Sequence, residues 1–170
     1  VSLVGFSARN HPQQSTRHDV DDRRTPASLF DRLHAAHAFT LDVCATADNA
    51  MLPAFYSPDD DGLTSGWGGE RVWCNPPYSS IAPWIRKAWD EMLFNRCALV
   101  VMLLPANRTE QVWWQRYVEP FRDRVAESGV RLSTEFLAGR MRFGHPAGYV
   151  KPKKGDRPPF GNVLVRWERV

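Results

Sequence analysis

From Ser80 to Phe94 the apolar residues fall on one side of a helix. Ile81, Trp84, Ile85, Ala88, Trp89, Met92 and Leu93 recur at i, i+3, i+4 and i+7, the spacing of an amphipathic helix with one buried face. Ser80 is placed to cap it, Pro83 sits in the first turn where its missing N–H costs little, and Arg86, Lys87, Asp90 and Glu91 take the wet side. Cys97–Leu104 is a continuous apolar run ending at Pro105, the pattern of a central parallel strand buried on both faces. Thr109 opens a helix carrying Val112, Trp113, Tyr117 and Val118 as far as Pro120, Val130–Phe136 alternates as a strand, and Gly161–Trp167 closes the chain as a last strand.

The first half is organised by shorter signals. Thr25-Pro26 reads as a helix start, with Thr25 as N-cap and Pro26 at the first helical position, and Leu29, Phe30 and Leu33 carry that helix to about His37. Phe39–Cys44 reads as a short buried strand with an acidic residue, Asp42, near its end. In a doubly wound α/β sheet, ligands bind beyond the carboxyl ends of the strands, so Asp42 is a candidate ligand contact. Residues 46–70 are loop-like, rich in Pro, Asp and Gly, with room for one helical turn and one short strand. The expected architecture is a single α/β domain, residues 25–170, with a Rossmann-like, mostly parallel and shortened sheet. Residues 1–24 lack periodicity and read as a flexible N-terminal arm.

Composition narrows the class without choosing a function. A chain of 170 residues with 43% hydrophobic and 24% charged residues suits one globular domain. The net charge of +3 permits a nucleic-acid partner without demanding one. Cys44, Cys74 and Cys97 are odd in number and show no C-x-x-C spacing, which argues against a disulfide framework or a structural metal and for a reducing compartment. No apolar run approaches membrane-spanning length and no signal-peptide pattern opens the chain, so the expected location is cytoplasmic with no membrane partner. Asp59, Asp60 and Asp61 invite a metal-dependent nuclease reading. Pro58-Asp59 and Glu70 would then need a lysine at position 72, where Val72 stands.

Candidate chemistry gathers at Trp73-Cys74-Asn75-Pro76-Pro77-Tyr78-Ser79. Two prolines remove two backbone donors, fix φ and push the residue before each away from α geometry, so the turn is stiff and its carbonyls are held. A planar exocyclic NH2 could give one hydrogen to the Asn75 side-chain oxygen and the other to the Pro76 carbonyl while Tyr78 stacks on the ring. Such an amine is a poor nucleophile because its lone pair is delocalised. Two acceptors aimed at its N–H bonds stabilise the charge that develops as the nitrogen becomes tetrahedral.

Asn75-Pro76-Pro77-Tyr78 resembles the (Asp/Asn/Ser)-Pro-Pro-(aromatic) motif of S-adenosylmethionine-dependent amino-methyltransferases. The longer run Leu41-Asp42-Val43-Cys44-Ala45, Asn49-Ala50, Asp61-Gly62-Leu63, Trp67 and Trp73–Ser79, with the later Gly139–Phe143, Pro159-Phe160 and Val163–Val165, is similar to the small phage-type DNA N6-adenine methyltransferases. The resemblance spans roughly residues 24–168. It implies methyl transfer from S-adenosylmethionine to adenine N6 in double-stranded DNA, with the base flipped out of the duplex, in a phage- or prophage-encoded enzyme acting in a bacterial cell. Asn75, Pro76, Pro77 and Tyr78 would be catalytic. Thr25, Pro26, Asp42, Cys44, Ala45, Asp61, Leu63 and Asn75 would hold the cofactor, Asp61 at its adenine amine and Leu63 against that ring. Arg140, Arg142, Lys151, Lys153, Lys154 and Arg157 would neutralise DNA phosphates. One departure stands out: Ala45-Thr46-Ala47 occupies the place of the glycine-rich cofactor turn. Cytosine N4 or protein glutamine methylation, or a DNA-binding homologue without catalysis, are the competing readings.

Overall fold

The computed structural model describes residues 23–144, 158 and 160–170. Among these, three α-helices and six strands follow in the order α1 (Ala27–His37), β1 (Leu41–Asp42), β2 (Arg71–Cys74), α2 (Ala82–Leu93), β3 (Leu99–Pro105), α3 (Val112–Tyr117), β4 (Arg124–Val125), β5 (Val130–Phe136) and β6 (Asn162–Arg169). All strands join one sheet, ordered β1-β2-β3-β6-β5-β4. The apolar run becomes β3, and every one of its residues is buried.

The expected single α/β domain with a shortened sheet forms, but its pairings are mixed rather than mostly parallel. β1 with β2 and β2 with β3 are parallel. β6 then inserts antiparallel between β3 and β5, and β4 runs antiparallel along β5. Four strands still point the same way. The insertion of one reversed strand is what turns the neighbouring ladders antiparallel, and it needs no crossover helix.

The shortening is concentrated beside β1. That strand has two residues, extended by Thr40 N–H donating to the Arg71 carbonyl (2.8 Å) and Val43 N–H to that of Trp73 (3.1 Å). On its outer side a single bridge, Phe55 beside Asp42, stands where further strands would lie in a full-sized sheet.

Helix ends depart from the sequence expectation. Pro26, not Thr25, occupies the N-cap of α1, and its carbonyl accepts from Leu29 and Phe30 N–H. Ser80 does not cap α2; Ile81 holds that position, while Ser80 N–H turns back to the Pro77 carbonyl (3.0 Å). α3 starts only at Val112, and Glu119–Phe121 follows as a 3-10 turn around Pro120. Glu91, expected on the wet face, is buried, with Lys87 Nζ at 2.7 Å and Arg96 Nε at 3.0 Å. Two cations and their hydrogen bonds make its burial tolerable. No helix among the described residues is long and apolar enough to cross a membrane.

The core is dominated by aromatics: Trp67, Trp73, Trp114 and Trp167 are fully buried. Trp84 and Trp89 pack against the sheet from α2, as the periodicity requires. Trp67 also closes the 46–70 loop, donating Nε1–H to the Gly62 carbonyl (2.9 Å). Gly62 is itself buried, so close to the end of β1 that a Cβ would lie 2.1 Å from the Val43 carbonyl oxygen and 3.1 Å from the Trp84 ring. Gly62→Ala should therefore act as overpacking against backbone and lower the unfolding free energy by about 1–3 kcal/mol or more. Urea denaturation checks this; an unchanged midpoint would mean the loop does not dock on β1.

Candidate active site

The carboxyl ends of β1 and β2 lie side by side because the strands pair in parallel, Leu41 with Val72 and Asp42 with Trp73. Beyond them opens a cavity of about 310 Å3, whose wall includes Arg23, Arg24, Thr25, Asp42, Cys44 and Asn75. The chain places one carboxylate, two guanidinium groups and two amides, those of Asn49 and Asn75, around it.

Asp42 is the last residue of β1 and almost fully buried. Its Oδ1 accepts from Cys44 N–H (3.3 Å) and its Oδ2 from Met51 N–H (3.1 Å). Burial pushes its pKa up to about 6, outweighing the two N–H groups that favour the anion. A carboxylate in this state gains from a cationic partner.

Asn75 leaves β2 at the turn. Its Nδ2 donates to the Arg23 carbonyl (2.8 Å) and to Thr25 Oγ1 (3.3 Å). With the nitrogen held by the 23–25 segment, the acceptor the amide has to offer is its oxygen. Thr25, not being a cap, is thus part of the site. Arg24 pairs across to Gly144 through two backbone hydrogen bonds, 3.2 and 2.9 Å, and its Nε is buried without a hydrogen-bond partner.

Tyr78 is buried, edge-on to Phe143 at 6.3 Å and tilted against Phe160 at 6.0 Å. The Arg23 guanidinium lies over both phenylalanine rings, 5.5 and 5.2 Å from their centres. The Tyr78 hydroxyl accepts from Asn162 Nδ2 (3.0 Å), and burial pushes the phenol far above its ordinary pKa.

Of the residues singled out from the sequence, Thr25, Asp42, Cys44, Ala45, Asn75 and Pro77 share the cavity. Pro76 and Tyr78 are buried and do not line it. Pro26 instead borders a neighbouring cavity, together with Gly139, Arg142 and Asn162. Asp61 and Leu63 do not line the cavity. Asp61 is exposed with φ of +50° and caps its own turn, accepting from Leu63 N–H and Thr64 Oγ1, each at 3.1 Å. Pro58 represents that loop in the wall. Arg140 and Arg142 are exposed after β5, and Lys151, Lys153, Lys154 and Arg157 lie outside the described residues. Sequence reasoning missed Arg23 and Arg24, which it left in the arm, and Asn162 inside an apolar strand. A basic pair directly before Thr25-Pro26 was the available signal for the first two. No cluster of three or more His, Cys, Asp or Glu suited to a metal ion occurs among the described residues.

Residues 13–167 match the family model of DNA N-6-adenine-methyltransferase (Dam). The chain belongs to this Dam family. It is 34% identical over 94 residues to the DNA N-6-adenine-methyltransferase of Haemophilus phage HP1, covering 55% of this chain and 53% of that one. It is 32% identical over 107 residues to the enzyme of the same name from Escherichia phage T1, covering 61% and 44%. The matched stretch thus spans about half the length of these relatives. In fold the chain is similar to a proposed RNA methyltransferase from Pyrococcus horikoshii, with a TM-score of 0.53 at 16% identity over 95% of this chain and 91% of that one. This Dam-family chain therefore carries its Asn-Pro-Pro-Tyr turn on a methyltransferase-like α/β sheet.

The raised pKa of Asp42 has a sign. A carboxyl that holds its proton more tightly when folded favours the fold at low pH, and that contribution is lost as pH rises from about 3.8 to about 6. Unfolding free energy of the ligand-free protein should carry this downward trend, and Asp42→Asn should remove it. Denaturation midpoints across that interval measure the slope; identical slopes would show that Asp42 is not desolvated.

Proposed function

We infer that this protein transfers a methyl group from S-adenosylmethionine to the N6 amine of adenine in double-stranded DNA. The observation that carries the reading is Asn75, held by its amide nitrogen at the carboxyl end of β2 and bordering a cavity that also contains Asp42 and Arg24. The cavity's donor set suits an α-amino acid end: a buried carboxylate for an ammonium, and a guanidinium with an orphaned buried Nε–H for a carboxylate. Small residues, Ala45 and Thr46, line the wall where the glycine-rich turn is missing, so close approach remains possible. When bound, the cofactor supplies an electrophilic methyl on a positively charged sulfur.

The chain's own residues do the rest. Asp42 and Arg24 would orient the amino-acid end and so fix where the methyl points. The Asn75 oxygen and the Pro76 carbonyl would accept the two amine hydrogens and localise the lone pair. Asn75 is neutral and leaves the proton to depart to water after transfer. Tyr78, with Phe143 and Phe160, would form the aromatic wall that holds the base once it has left the duplex. Arg140, Arg142 and the lysines of the following loop would track the phosphate backbone. Membership of the Dam family favours adenine over cytosine N4 or a protein amide.

Incubation with labelled cofactor and unmethylated DNA, then mass spectrometry of digested nucleosides, tests the reading. N6-methyladenine is the expected product; label found only on protein would overturn it. Asn75→Ala should lose turnover by about a hundredfold or more even at saturating cofactor, and should also weaken cofactor binding, because it releases the Arg23–Thr25 segment that the amide ties down. Asp42→Ala and Arg24→Ala should each weaken cofactor binding by about 1–3 kcal/mol in calorimetry. Wild-type affinity should strengthen as pH rises through about 6, a dependence that Asp42→Ala should lack.

A further inference from the structure

Asn162 is the first residue of β6, at the head of the apolar run Val163-Leu164-Val165, and is buried. Its Nδ2 faces two oxygens, the Tyr78 hydroxyl at 3.0 Å and the Leu104 carbonyl at 3.3 Å. The Leu104 carbonyl can only accept, which fixes the orientation of the amide. Its Oδ1 is buried with no hydrogen-bond partner. An orphaned buried acceptor costs stability, and an apolar residue of similar size would avoid that cost. The amide is thus poorly explained by the stability of the sheet.

What it does is hold the far end of the Tyr78 side chain, whose backbone carbonyl is held separately by the Arg108 guanidinium. The backbone around Asn162 is anchored on both sides: Leu137 N–H donates to its carbonyl (2.9 Å), and Ala106 N–H to that of Gly161 (2.9 Å). Tyr78 belongs to a turn outside the ladder, and its ring meets Phe143 edge-on and Phe160 at 57°. Aromatic contacts of this kind tolerate sliding, whereas a hydrogen bond from a rigid strand sets a distance. Because two prolines stiffen the link between Asn75 and Tyr78, fixing the Tyr78 hydroxyl also fixes how the ring stands relative to the Asn75 amide.

We propose that Asn162 is a positioning residue that acts through the Tyr78 hydroxyl to hold the base-binding wall in register with Asn75. This rests on the reading of the turn as the site of adenine methylation. It also sharpens the expectation for Tyr78: the hydroxyl is needed as well as the ring.

Two measurements test it. In protein labelled with 13C at tyrosine Cζ, the Tyr78 resonance, identified by its loss in Tyr78→Phe, should shift in Asn162→Ala; an unmoved resonance overturns the hydrogen bond. In methylation assays at saturating cofactor, Asn162→Ala and Tyr78→Phe should each lower kcat by on the order of ten- to a hundredfold, with cofactor affinity unchanged. The double variant should be no slower than Tyr78→Phe, because both changes remove one interaction. Multiplying losses, or full kcat in Asn162→Ala with an active wild type, would overturn the proposal and leave the functional reading intact. A wild type that methylates no adenine would overturn the functional reading, and the proposal with it. If Asn162→Ala fails to fold, Tyr78→Phe removes the same bond while keeping that to Leu104, and full kcat there is equally fatal.

Discussion

The structure of the site depends on one amide being tied from behind. Asn75 leaves β2 where the ladder must stop, since neither following proline can donate. Its Nδ2 then reaches back to the Arg23 carbonyl and the Thr25 hydroxyl. This bond does two things. It brings the segment before α1 across the carboxyl ends of the strands, which supplies the Arg23–Thr25 side of the cavity. It also settles the orientation of the amide, because an oxygen in the nitrogen's place would meet a carbonyl that cannot donate. An aspartate there would place its charge against that same carbonyl.

A short chain builds this pocket by replacing sheet with loop. β1 is two residues long, and its outer neighbour is one bridge at Phe55. The close approach expected of a glycine-rich turn after β1 is found at Gly62 instead, whose missing Cβ lets the 46–70 loop reach the Val43 carbonyl. The loop is then closed by Trp67 on Gly62 and by Tyr56 Oη on the Gly66 carbonyl (2.7 Å). Two side-chain donors and one absent methyl do the work of missing strands.

The elements with strong periodicity were legible: α2 lies inside its expected range, β5 coincides with it, and the apolar run is β3, at the middle of the sheet. Their signals are local. The order and direction of strands were less so, because nothing in β6 itself says that it will enter between β3 and β5. Caps failed for a local reason read too simply. Ser80 and Thr25 have capping side chains, yet Thr25 is tied to Asn75 and followed by Pro26, and Ser80 N–H is turned back to the Pro77 carbonyl, so the helices start past them. In the site, Asp42 and Asn75 were legible from residue type and position at strand ends. Asp61 lies elsewhere: at positive φ its carboxylate is taken up by Leu63 N–H and the Thr64 hydroxyl of its own turn, a local bond that residue type alone does not announce. Asn162 was hidden because an amide at a strand end carries no pattern of its own.

The charges of the site also bear on its stability without ligand. Asp42 is nearly ionised at neutral pH yet lies where burial opposes ionisation, and its two N–H donors offset only part of that. Arg24 presents a buried N–H with no acceptor. Both groups are worse off where the fold buries them than in water, so both cost stability. A ligand carrying an ammonium and a carboxylate would recover these deficits together, and binding to the folded state alone would stabilise the fold by mass action. Simple stabilisation of the sheet does not explain why these groups stay; on the proposed function recognition would, because the groups that cost stability would be those that distinguish an amino-acid end from other occupants of the cavity.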